Sequence, residues 1–97
     1  MDAKKLILGS ANVNNFYGIK KNKIKINEFI KLTNYAYLKG VKIIDTSPMY
    51  KDSEKIIGSI KKKFSIITKI PKIPSDLKIN EIEKWIKKKI ETSQKKI

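Results

Sequence analysis

An α/β fold of three βα units around a parallel sheet is predicted for this chain, and three observations carry the prediction. Short apolar runs alternate with longer amphipathic segments along its 97 residues. Those runs are rich in Val and Ile without strict polar alternation, which suits strands covered on both faces. The order strand, helix, strand, helix, strand, helix is the one that right-handed βαβ crossovers satisfy. A chain of this length makes one domain at most and leaves much of its surface wet.

The first strand is expected over residues 4–10, a short apolar run closed by Gly9. A polar loop, ANVNNFYGIKKNKIKI (11–26), follows; rich in Asn and Lys and carrying Gly18, it is expected to be the most mobile part. The first helix should start with Asn27 as N-cap and Glu28 in the first turn, put Phe29, Leu32 and Ala36 on one face, and stop at Gly40. Residues 41–46, VKIIDT, restart the strand pattern. A second helix is expected from Ser53 as cap, with Glu54 in its first turn and Ile56, Ile57 and Ile60 inward. The third strand reads FSIITK, residues 64–69. After a loop holding two prolines, Asn80 and Glu83 have the spacing of a capping box, and Ile82, Ile86, Ile90, Ser93 and Ile97 run down one side of a last helix.

Composition excludes several classes of function. With no cysteine and no histidine, there is no disulfide framework, no Cys/His zinc site and no thiol nucleophile. Nothing approaches the roughly 20 apolar residues of a membrane span, and the start lacks a signal peptide's apolar run, so a cytoplasmic protein is expected. A formal charge of +14 would attract a polyanion. All 23 basic residues, however, are lysine. Arginine is the side chain preferred for gripping phosphate and reading guanine, so the charge reads first as a solvated lysine coat shaped by coding bias. Polyanion binding is the alternative, and specific nucleic-acid recognition and membrane binding are not expected.

The polar residues are more informative. In a parallel α/β sheet, chemistry gathers at the carboxyl ends of the strands. Gly9 and Ser10 close the first strand, Asp45 and Thr46 the second, and Lys69 the third, while Tyr50 lies on the loop leaving the second. One rim therefore collects a carboxylate, an amine and a phenol. An ammonium beside a phenol favours the phenolate, which makes the phenol a better proton donor, and a carboxylate beside the ammonium keeps it charged and in place. A plainer reading stands beside this one: an Asp capping a turn, a solvated Lys, a Tyr that merely packs.

Residues 40–58, GVKIIDTSPMYKDSEKIIG, resemble the signature of the aldo-keto reductase superfamily: a Gly, an apolar strand, Asp-Thr-Ala, two variable residues, Tyr-Gly, one residue, Ser-Glu, two residues, and Leu or Ile with Gly. The opening LILGSANVNNFYGI is similar to the first strand and loop of the sugar-reductase-like branch. ITK (67–69) resembles the strand carrying the family lysine, and WIKKKIETSQKKI (85–97) the helix after it.

The resemblance implies the amino-terminal three βα units of an incomplete (β/α)8 barrel spanning 1–97. It also implies reduction of an aldehyde or ketone by NADPH or NADH. Tyr50 then corresponds to the proton donor, Lys69 to the residue that makes it acidic, and Asp45 to the partner of that lysine beside the nicotinamide ribose. Gly9 and Ser10 correspond to the pair that approaches the cofactor. Ser53 and Glu54 are expected to start a helix rather than do chemistry.

Departures from the family pattern matter too. Lys51 replaces the glycine after the tyrosine, at a cost of about 1 kcal/mol if positive φ is needed there. Gln94 replaces a leucine, and the family's fourth site residue, a histidine, is lacking. Three βα units also leave both sheet edges open. Leu6, Leu8, Ile43 and Ile66, whichever of them face the axis, are expected to lose their covering layers. The isolated chain is accordingly expected to be inactive and to need a complementing barrel fragment, a non-catalytic remnant being the other outcome.

Overall fold

The computed structural model describes residues 2–15 and 23–97. Its order is β1 (Ile7–Gly9), α1 (Ile26–Leu38), β2 (Ile43–Asp45), α2 (Ser53–Gly58), β3 (Ser65–Ile67) and α3 (Ile79–Lys96). The three strands form one parallel sheet in the order β1-β2-β3, so the α/β arrangement read from the sequence is present, with an open sheet compatible with part of a barrel.

Strands are shorter than the apolar runs because the chain turns just before and after them. Residues 3–5 form a 3₁₀ turn, capped by the Asp2 carboxylate accepting from the Lys4 amide, and this removes Lys4 and Lys5 from the first strand. Pairing extends one step past the strands proper: Ser10 N donates to Asp45 O, and Thr46 N to Ile67 O.

Helix α1 starts at Ile26 with Lys25 in the N-cap position and no side-chain cap, so Asn27 is a first-turn residue and not the cap. Its end follows the sequence closely. Gly40 takes φ +104°, its amide donates to Tyr37 O, and Val41 donates to Ala36 O, the paired bonds of a Schellman stop. The inward face is Phe29 and Thr33, four residues apart and both fully buried, while Leu32 is 40% exposed at its edge. Thr33 tolerates burial because its hydroxyl donates to Ile30 O of its own helix.

Helix α3 begins at Ile79 after Lys78, and the expected capping box does not form: Asn80 and Glu83 are both exposed. In the polar loop, Val13 is buried and bridges Ile24, so the described ends are tied down. Gly18 and the middle of that loop lie outside the described residues. None of the described helices is long and apolar enough to cross a membrane.

Register decides the two faces of the sheet. Leu8, Ile44 and Ile66 align across the strands and face the helices, where they meet Phe29, Ile56 and Ile57. Ile7, Ile43 and Ser65 align on the opposite face, as do Gly9, Asp45 and Ile67. That second face is bare, with Ile7 51% and Ile67 45% exposed. Of the side chains named as candidates to face the axis, Ile43 lies on the bare face, whereas Leu8 and Ile66 belong to the helix-covered core.

Candidate active site

The bare face carries the polar rim. Asp45 is the last residue of β2, and Lys69 lies two residues beyond Ile67, so strand periodicity brings both side chains to one side. Lys69 Nζ donates to both carboxylate oxygens of Asp45, at 3.1 and 3.0 Å, and to the carbonyl of Thr46 at 2.6 Å. Lys69 and Asp45 are only part-shielded, at 46% and 36% side-chain exposure, so their attraction contributes little to stability and serves mainly to place the amine.

Tyr50 follows a tight turn that begins at Ser47. The Ser47 hydroxyl accepts from Met49 N and its carbonyl from Tyr50 N, so a buried serine shapes the bend. The Tyr50 ring centroid then lies 5.3 Å from Lys69 Nζ, within cation–π range. Immediately after it, Lys51 sits at φ +31°, the left-handed conformation that a glycine would hold without strain.

Ser10, one of the pair expected to approach a cofactor, lies just past the end of β1. It is fully buried, and its hydroxyl donates to Asp45 O at 2.9 Å while accepting from Ser53 Oγ at 2.8 Å. Thr46 Oγ1 lies 2.8 Å from Ser53 Oγ. Because Ser10 and Ser53 each spend their single proton on the next group, Thr46 is the donor of that last bond. A chain of buried hydroxyls thus runs from Thr46 through Ser53 and Ser10 to the Asp45 carbonyl. Gly9, by contrast, is exposed on the bare face, and a Cβ added there would meet nothing within 4 Å.

Glu54, in the first turn of α2 as expected, also reaches beyond its own helix. It is 2% exposed, with one carboxylate oxygen accepting from Thr68 Oγ1 at 2.8 Å and the other from Ser93 Oγ at 3.2 Å. The signal was present in the spacing: Ser53 precedes Ile56 by three residues and Glu54 precedes Ile57 by three, which puts both on the helix's inward face. Ser53 opens α2 as expected, but as its first helical residue, with Asp52 in the cap position and no side-chain cap.

Among the described residues no group of acidic, His or Cys side chains is placed to hold a metal ion. The rim is thus a carboxylate, an ammonium and a phenol ring in sequence along one open edge. Over residues 5–97 the chain matches the aldo/keto reductase family. It belongs to that family. Membership in the aldo/keto reductases carries an oxidoreductase type of function in general, and members of the family generally use NAD(P)H. No curated protein and no solved structure gives a significant match.

Proposed function

We propose that this chain supplies the proton-donating part of a site that reduces an aldehyde or ketone to an alcohol with NADPH or NADH, within a completed barrel. The supporting observation is the Lys69 ammonium, held by the Asp45 carboxylate and the Thr46 carbonyl and lying against the Tyr50 ring. Tyr50 donates its phenolic proton to the carbonyl oxygen of the substrate. Lys69 lies over the Tyr50 ring, and Asp45 keeps its ammonium in position there. When bound, NAD(P)H supplies the hydride that the carbonyl carbon accepts, so one proton and one hydride balance the change from C=O to CH–OH.

The residues present fit the nicotinamide end of such a cofactor. Gly9 leaves open space on the bare face beside Asp45, and the buried Ser10 follows it, fastened to the Asp45 carbonyl. A closed barrel needs eight strands, and two open sheet edges with a bare apolar face call for the remaining five. We therefore assign a complementing barrel portion as the partner and a small carbonyl compound as the substrate. Several lysines cover the chain's own rings, Lys42 over Tyr37 at 3.3 Å and Lys89 over Trp85 at 5.5 Å, a use of the lysine coat that needs no polyanion.

The test is reconstitution. Alone, the chain should show no carbonyl-dependent NADPH oxidation and no quenching of Trp85 by micromolar NADPH. Mixed with a chain carrying the remaining five strands, it should gain that oxidation, and Tyr50→Phe should lower turnover by about 10²–10⁴-fold. A soluble, assembled barrel whose turnover is unchanged by Tyr50→Phe would remove Tyr50 from the chemistry.

A further inference from the structure

The first turn of α2 does more than begin a helix. Its two leading residues point to different strand ends: Ser53 bonds Ser10 at the end of β1 and Thr46 at the end of β2, while Glu54 bonds Thr68 just past β3. Glu54 also takes the hydroxyl of Ser93 from α3. Both residues are almost completely buried. Among the described residues no buried side-chain polar atom lacks a partner, so the network is fully satisfied. Satisfied buried polar networks of this kind rigidify what they connect.

What they connect is the rim. Thr46 presents its hydroxyl to Ser53 and its carbonyl to Lys69 Nζ, and Thr68 is the residue directly before Lys69. Ser10 fastens its hydroxyl to the carbonyl of Asp45, whose carboxylate is the other partner of Lys69. We infer that Ser53 and Glu54 form a clamp that holds the three strand ends in the arrangement at which Lys69 meets Asp45 and Thr46. They are positioning residues, acting through backbone and hydroxyl groups without touching the rim's open side. This inference deepens the reductase reading and rests on it only for the importance of Lys69; the geometry it concerns is measurable without turnover.

Amine acylation of the chain, followed residue by residue by mass spectrometry, reads that geometry. In the native protein Lys69 should acylate more slowly than Lys51, which is exposed on the neighbouring loop. Glu54→Ala and Ser53→Ala should each raise Lys69 labelling relative to Lys51 by about twofold or more, a size set by the modest strength of a half-exposed ion pair. Glu54→Gln, which keeps one oxygen acceptor, should lie between native and Glu54→Ala. Ile56→Val serves as the control, because it loosens the core under the same helix without touching the clamp. Should Ile56→Val raise Lys69 labelling as much as Glu54→Ala does at matched stability, the two residues merely hold the fold together and the clamp is refuted. If either alanine variant does not fold, the graded pair Glu54→Gln and Thr68→Val gives the same comparison, and unchanged Lys69 labelling in both overturns the inference. Failure of the reconstituted reductase with an intact labelling pattern would overturn the functional reading and leave the clamp standing.

Discussion

Gly58 closes α2 at a point where helix propensity and packing predict opposite signs, which makes Gly58→Ala a sharp test of how the last helix is seated. A Cβ built on Gly58 is driven into the carbonyl oxygen of Lys96, lies 3.0 Å from the carbonyl carbon of Lys96 and 3.4 Å from Ile97 Cα. All three obstacles are backbone, so no side chain can swing aside. Ala in place of Gly would favour a helix by at most about 1 kcal/mol, and less at its last residue. Forcing a methyl group into a filled space costs about 1–3 kcal/mol. Displacing the end of α3 also stretches the Ser93–Glu54 hydrogen bond, a further ~1 kcal/mol if it is lost. The expected balance is a loss of about 1–3 kcal/mol, which for a domain of this size lowers Tm by roughly 4–24 °C. Trp85, the only tryptophan in the sequence, reports directly, since it lies on α3 and lines a cavity with Glu54, Ser93 and Lys96. Urea unfolding followed by Trp85 emission should show a lower midpoint and a native baseline shifted toward exposed tryptophan. A Gly58→Ala variant as stable as the native chain, or more so, would show that α3 does not press on α2 at this point.

Other substitutions probe the core and the rim. Lys51→Gly should stabilise by about 0.5–1 kcal/mol, the relief of a left-handed lysine less the extra chain entropy of glycine, seen as a higher urea midpoint at unchanged slope. Ile44→Ala, at the fully buried centre of the sheet, should cost about 2–5 kcal/mol and leave a chain this small largely unfolded by circular dichroism. Asp45→Asn should change stability by no more than about 1 kcal/mol in a thermal melt, because its partner is half exposed, while raising the acylation of Lys69. A large loss of stability in that variant would mean that the pair is structural.

The βα alternation was legible because strand and helix patterns are local: each depends on which residues neighbour one another along the chain. So was the stop at Gly40, since only a residue free to take positive φ closes a Schellman motif without strain. Helix starts were less legible. Asn27 and Asn80 are good caps by type, yet both helices begin one residue before them, after lysines whose extended backbone already turns the chain. Gly9 and Asp45 at strand ends, and Lys69 two residues past β3, were visible as positions, and strand periodicity puts Gly9, Asp45 and Ile67 in register on one face.

Sequence by itself thus determined the order of elements, the residue types at each strand end and, through the motif at residues 40–58, the resemblance to the family. Tertiary structure alone decided which face of the sheet is covered, because burial of Leu8, Ile44 and Ile66 depends on the register between strands and the seat of the helices. It also decided that Ser10 is buried in a chain of hydroxyls and that Glu54 bonds Thr68 and Ser93. Local periodicity states which residues share a face; contacts between residues far apart in sequence state what that face meets.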